Sequence, residues 1–331
     1  MYLGLDLGFN RIKLVTPFSQ HAYTSAIGNP SSFELEHTPT MILEDNLSVT
    51  FDDTTYYIGK KAMNTNNARL CIDTDKTNST NDRVALYSAL GISAEVTKEQ
   101  TFNIVTGLPV EDFKKSGLRE ELISNLKGTH KFIFKGESVV THVENVLVIP
   151  QAAGAFYDYI LNDNGEIKLE CMDILNGTVM VIDIGYKTTD VITMSYGEYV
   201  SDQSCTIPKG MKDIHKELAR YINSKYDRSF NLASMDGICR AGGFIHKGNI
   251  VDITNVILEL EKPITEFIIN ETNALIGDTK GANLIIGCGG TMSVMDRYFS
   301  LYYGDYFVTN NIEFANASGD YKYGLLYETL H

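Results

Sequence analysis

The sequence of 331 residues carries a formal net charge of −14, with 44% hydrophobic and 21% charged residues, a composition that predicts a globular protein of two domains, each large enough for its own core. The acidity excludes direct nucleic-acid binding as a main activity, because no Lys/Arg cluster offsets the repulsion of a polyanion. No apolar run approaches the roughly 18 residues of a membrane span, and the start Met1-Tyr2-Leu3 lacks a basic region ahead of an apolar one, so the expected location is cytoplasmic, with no membrane partner.

Leu3 to Leu7 reads as an apolar strand that passes Asp6, turns at Gly8-Phe9-Asn10 and leaves as a second strand to Val15. A glycine two residues after a carboxylate admits a positive backbone dihedral, which lets successive N–H groups converge on an anion. The carboxylate beside it can hold Mg²⁺ through water. One Asp-x-Gly alone is weak, since ordinary hairpin turns share it. Ala22 to Ile27 reads as a short strand broken at Pro30-Ser31-Ser32. A hairpin at residues 47 to 52 and 55 to 58, with a polar run from Asp73 to Asp82, predicts a small insertion over about 31–82.

Arg83 to Leu90 places Val84, Tyr87 and Leu90 at helical spacing, with Gly91 fitting its end. A strand at 102–106 stops at Gly107-Leu108-Pro109, and an amphipathic helix runs from Glu111 to Lys127, ending at Gly128. A hairpin follows over 130–135 and 138–149. Pro150-Gln151 then opens a helix to about Asn162, whose small residues Ala152 to Ala155 let it lie close to another backbone. Gln151 reads either as a helix-capping amide or as a group facing whatever lies between two halves. Asn162-Asp163-Asn164-Gly165 marks a domain boundary.

Residues 181–193 repeat the first hairpin. Asp183 falls on Asp6, Gly185 on Gly8, Tyr186 on Phe9 and Thr189 on Ile12, at a constant offset of 183 − 6 = 177. One long period marks a duplicated domain rather than a solenoid. Beyond it, Tyr199 to Ile207 reads as a strand, and Pro208-Lys209-Gly210 leads into a helix with Met211, Ile214, Leu218 and Ile222 on one stripe. Residues 255–276 follow a helical pattern that Pro263 is expected to kink or split. A short strand from Asn283 runs into Gly287-Cys288-Gly289-Gly290-Thr291 before a helix over Met292 to Phe299. Such a turn lets backbone approach a flat ligand closely, or is simply tight. Five scattered cysteines and seven histidines without paired spacing support neither a disulfide framework nor a transition-metal site.

Four pieces therefore stand in order: Asp6 to Lys13, Val148 to Phe156, Val181 to Asp190 and Ile285 to Thr291. That order resembles the actin, sugar kinase and seventy-kilodalton chaperone superfamily, where the pieces are phosphate loop one, the first connecting helix, phosphate loop two and the adenosine loop. Val105-Thr106-Gly107-Leu108-Pro109-Val110, residues 149–155, residues 183–190 and Phe314-Ala315-Asn316-Ala317 look most like ParM-type bacterial and archaeal actins. The resemblance implies an α/β, actin-like (ribonuclease H-like) fold of two duplicated domains, each with a mixed sheet, and a nucleotide cleft between them. Domain I would span 1–162 plus 316–331, and domain II 163–315, with a helical insertion over about 225–280.

The resemblance also implies roles. Asp6 and Asp183 would hold Mg²⁺. Gly8, Phe9 and Asn10, with Gly185, Tyr186, Lys187 and Thr188, would cup the phosphates, and Lys13 would reach them as a point charge. Gln151 takes the place of the residue that positions attacking water, with Asp190 in support. Gly210 and Gly289-Gly290-Thr291 would hold ribose and adenine. Phe9-Asn10 and Tyr186-Lys187 are bulkier than the small residues often found in these loops, and Lys187 reads as a solvent-facing residue before a phosphate-assisting one. The implied protein is an ATPase using ATP, or GTP in its place, with Mg²⁺. It would polymerise with itself and segregate plasmid DNA through a basic DNA-binding adaptor, without touching nucleic acid directly. The alternatives are a small-molecule kinase of the same superfamily, with Asp190 as its catalytic carboxylate, and a nucleotide-dependent binding protein that never polymerises. A chaperone is disfavoured, since no peptide-binding domain follows within the sequence.

Overall fold

A computed structural model describes residues 1–30, 47–63, 65, 67–70, 80–276, 282–304 and 306–331. Ser31-Ser32, most of the polar run from Asp73 and Cys71 lie outside the described residues. Contacts divide the chain into one unit of Met1–Met172 with Phe314–His331 and a second of Asp173–Glu313.

The first unit is built on a mixed sheet of ten strands. In chain order they are β1 (Tyr2–Leu7), β2 (Arg11–Val15), β3 (Gln20–Thr24), β4 (Ala26–Gly28), β5 (Leu47–Phe51), β6 (Thr54–Ile58), β7 (Arg69–Leu70), β8 (Thr101–Leu108), β9 (Gly128–Phe134) and β10 (Glu137–Pro150). Their spatial order is β3-β2-β1-β8-β10-β9-β5-β6-β4-β7. β1 pairs antiparallel with β2 and parallel with β8. Its first five residues are buried, as a central strand covered on both faces requires. The helices are α1 (Lys60–Met63), α2 (Thr80–Thr97), α3 (Val110–Phe113), α4 (Ser116–Leu126), α5 (Ala153–Ile160), α6 (Met172–Leu175, across the division) and α11 (Ala315–Leu330).

Gly91 does not end α2. The helix runs on to Thr97 with Val84 to Ser93 all buried, so it is covered on every side. Gly91 is instead where Phe134 presses in, for a Cβ there would lie 2.6 Å from Phe134 Cδ2. The helix expected over 111–127 is two, α3 and α4, because Lys115 is extended and breaks it. Helix α5 starts only at Ala153, since Gln151 N–H continues the strand ladder by donating to Leu108 O at 2.8 Å. Small residues do bring α5 close to another backbone: a Cβ on Gly319 of α11 would fall on the Gly154 carbonyl.

The second unit has β11 (Thr178–Ile184), β12 (Thr189–Ser195), β13 (Glu198–Tyr199), β14 (Cys205–Ile207), β15 (Gly243–His246), β16 (Asn249–Asp252), β17 (Leu284–Cys288) and β18 (Tyr306–Val308). Its mixed sheet runs β13-β12-β11-β17-β18, with β14 beside β12, while β15 and β16 form a separate ribbon. β11 pairs antiparallel with β12 and parallel with β17, which repeats the β2-β1-β8 arrangement of the first unit. The helices are α7 (Met211–Tyr226), α8 (Leu232–Ala241), α9 (Thr254–Ile276) and α10 (Met292–Tyr302). Its sheet core is Met180, Ile182, Ile184 and Ile285, packed by Ile214, Ile268 and Phe299 from the helices.

Three expectations change here. Tyr199 to Ile207 is not one strand, because Ser204 Oγ donates to Val200 O and accepts from Thr193 N–H, local bonds that compete with the ladder. Pro263 does not split the helix, since it lies inside α9. The segment expected as a helical insertion over 225–280 contains the β15–β16 ribbon as well as helices.

Candidate functional site

In the first unit, the β1–β2 register sets Asp6 directly opposite Lys13. Asp6 is 3% exposed, and Lys13 Nζ lies 2.8 Å from its Oδ2. Burial of that carboxylate requires such a partner. The Gly8-Phe9-Asn10 turn is pinned from below by Ser25, whose Oγ donates to Phe9 O at 2.6 Å and whose N–H donates to Asn10 O at 3.0 Å. Gly8 and Phe9 line an open pocket with Ser25, Asp82, Thr106 and Gly107. Thr106 Oγ1 ties the cavity wall to β1 by donating to Leu5 O at 2.6 Å.

Gln151 sits against that wall, for a Cβ on Gly107 would lie 2.5 Å from its Cα. It does not cap α5, whose N-cap position is Ala152 and has no side-chain cap bond. The capping alternative is therefore set aside.

Asp320 joins this region without a signal in the sequence. It lies on α11, 1% exposed, and its Oδ1 has no hydrogen-bond partner among the described residues. Burial, and then the charge of Asp6, push its carboxyl well above the ordinary carboxylate range.

In the second unit, Asp183 and Asp190 stand opposite each other across β11 and β12, 4% and 3% exposed. Asp190 Oδ1 accepts a hydrogen bond from Thr206 Oγ1. The turn between the strands is closed by Gly185 N–H donating to Thr188 O at 2.9 Å. Thr291 Oγ1 donates to Gly185 O at 3.0 Å and its N–H to Ile184 O at 3.1 Å. Gly289 has φ 89°, and a Cβ there would collide with Asp183 Oδ1. Gly210 is equally confined: its Cβ would lie 2.6 Å from Gly185 O, while Lys212 N–H at the start of α7 donates to Tyr186 O at 2.7 Å. The fold thus gathers Asp183, Gly185, Tyr186, Thr188, Gly210, Gly289 and Thr291 into one cluster, with Lys187 and Gly290 exposed at its edge.

Tyr186 is held by a residue the sequence did not mark. His215 of α7, 1% exposed, packs edge-on to the Tyr186 ring with centroids 5.5 Å apart. Its Nδ1 lies 3.4 Å from the Tyr186 hydroxyl, and its Nε2 has no partner among the described residues. Burial pushes the imidazole down to about 4 and the Tyr186 hydroxyl up to about 12, so both are neutral near pH 7.

Residues 4–154 match the model of the actin-like proteins' N-terminal domain, and residues 181–300 that of the archaeal actin homologue MreB-like C-terminal domain. No curated protein matches the chain. Among solved structures, a 15-stranded ParM filament from Clostridium botulinum is 25% identical with a TM-score of 0.80, covering 98% of each chain. The archaeal actin homologue Ta0583 in complex with ADP is 19% identical with a TM-score of 0.76, also covering 98% of each chain. The Alp12 filament is 16% identical with a TM-score of 0.68, covering 100% of this chain and 99% of its own. Two family models spanning both units, with the same antiparallel hairpin and parallel third strand in each, place this chain in the family of actin-like proteins.

Proposed function

We propose that the chain is an ATP-dependent filament-forming protein that hydrolyses nucleotide, with ParM-like segregation of plasmid DNA through a basic adaptor as its role. The observation that carries this reading is the pair of matched hairpins, each of which brings a buried carboxylate, Asp6 or Asp183, to a glycine-containing turn. An ADP complex of one structural relative and filament structures of two others support it.

Among the described residues no three His, Cys, Asp or Glu side chains gather to hold a metal ion. Mg²⁺ on a nucleotide fits such a chain, since it is held by one or two carboxylates, water and the phosphates themselves rather than by a protein cage. Asp6 and Asp183 are the carboxylates assigned to it, and the ion would neutralise phosphate charge when bound. Backbone N–H groups of Gly8 to Asn10 and of Gly185 to Thr188 are assigned to the phosphates, with Lys13 as their point charge. Gly210 and Gly289 to Thr291 are assigned to the nucleoside. Gln151 positions the attacking water, and Asp190 supports it. Loss of the γ-phosphate then shifts the chain away from its polymerising state.

The small-molecule kinase alternative needs a carboxylate free to act on substrate. Its candidate, Asp190, is 3% exposed and already accepts a hydrogen bond from Thr206, which favours a supporting role. Phosphate release from Gln151→Ala tests the assignment: slow release with nucleotide affinity retained is expected, and a wild-type rate removes Gln151 from the mechanism.

A further inference from the structure

The second glycine turn hangs from the first turn of α7. Met211 N–H donates to Gly185 O at 3.3 Å and Lys212 N–H to Tyr186 O at 2.7 Å, and Thr291 Oγ1 also donates to Gly185 O. These peptides are trans, and in a trans peptide the N–H points opposite to the C=O. The N–H groups of Tyr186 and Lys187 are therefore turned away from α7, as a turn that cups an anion requires. Rotating either peptide would set a carbonyl oxygen where the donor stood.

The Tyr186 side chain is tied to the same helix. His215, one turn beyond Lys212, packs against its ring and brings Nδ1 to 3.4 Å from its hydroxyl. The ring also packs against the sheet core that includes Met211 and Ile214, so α7 holds both the backbone and the side chain of the turn. Packing alone would not select a histidine here. An imidazole 1% exposed, with Nε2 unpartnered among the described residues, carries a desolvation cost that a leucine avoids. Burial keeps the imidazole neutral against the Asp236 carboxylate of α8, with Arg240 acting in the same sense as burial. The contact with the Tyr186 hydroxyl is one between neutral groups.

We propose that His215 is a positioning residue for polyphosphate binding: by holding the Tyr186 hydroxyl it keeps the Gly185 to Thr188 turn in the peptide orientation that offers N–H groups to the nucleotide's phosphates. The proposal rests on the nucleotide-hydrolysing reading and deepens it with a residue outside the turn. A turn fixed before the ligand arrives spares part of the ordering cost of binding. Because the turn holds the phosphates before and during the reaction alike, the effect falls on KM rather than on kcat.

Calorimetric titration with ATP and Mg²⁺, together with phosphate-release kinetics, tests it on His215→Leu, His215→Asn and Tyr186→Phe. His215→Leu fills the site without a polar partner, and is expected to weaken ATP binding about five-fold and to raise KM by the same factor with kcat unchanged. His215→Asn puts an amide where Nδ1 lies and should restore affinity to within about two-fold of wild type. A packing role predicts the reverse order, since asparagine leaves more of the site empty than leucine does. Tyr186→Phe keeps the ring and should match His215→Leu, and combining the two should add nothing further. Tyr186→Phe and His215→Asn decide the matter if His215→Leu melts early. Wild-type affinity in Tyr186→Phe or His215→Leu, an asparagine variant weaker than the leucine one, or a loss confined to kcat overturns the role of His215 and leaves the nucleotide reading standing. Failure of wild type to bind ATP overturns both.

Discussion

Lys13 stands directly opposite Asp6 across β1 and β2, and Asp190 holds the same place opposite Asp183 across β11 and β12. The duplicated hairpin has therefore diverged at this position. One copy neutralises its buried carboxylate with an ammonium 2.8 Å away, and the other sets a second carboxylate beside the first.

Lys13→Met keeps the aliphatic stem and leaves Asp6 buried without its cation. Removing one partner of a buried pair costs about 3 kcal/mol, read as a shift of the urea unfolding midpoint. The Asp6→Asn/Lys13→Met double variant should recover part of that loss, which isolates the pair's own coupling. A loss below about 0.5 kcal/mol would mean that the pair acts as a surface ion pair.

Asp320→Asn is expected to stabilise the chain at neutral pH. The folded carboxyl titrates well above the ordinary aspartate value of 3.8, so the folded state keeps a proton that the unfolded state gives up. Wild-type stability then falls as pH rises above 3.8, and a neutral isostere escapes that loss. The two proteins should match in acid and separate as pH increases. Parallel stability curves across the range would show that Asp320 finds a partner for its charge.

His215 predicts the opposite slope. Its folded value of about 4 lies below the ordinary histidine value of 6.5, so the unfolded state binds the proton first. Stability contributed by neutral His215 is full above 6.5 and is lost as pH falls toward 4. His215→Phe keeps the ring against Tyr186 and removes the titration. Urea unfolding at about pH 7.5 and about pH 5 should show wild type losing on the order of 2 kcal/mol more than the variant. Equal losses would place a protonated imidazole in the fold.

The site was legible where chemistry demands a local pattern. A carboxylate followed by a glycine turn between apolar strands is visible twice, and the structure builds both as hairpins. What stayed hidden depends on distant packing. Ser25 pins Phe9 and Asn10 from another strand, His215 reaches Tyr186 from a helix 29 residues away, and Asp320 comes in on the last helix. None belongs to a motif. Gly91 misled because a glycine near an apparent helix end usually stops it, whereas a helix buried on all sides can spend one on a neighbouring ring. The β15–β16 ribbon was hidden because its strands are apolar on both faces, which leaves no period of two to read.

The central claim is that nucleotide drives this chain to polymerise. Sedimentation of the purified protein with Mg²⁺ and ATP, beside the same protein without nucleotide, tests it most directly. The account predicts a pellet above a critical concentration with Mg²⁺ and ATP, and protein left in the supernatant without nucleotide. Equal sedimentation in both conditions, at every concentration tried, would contradict it.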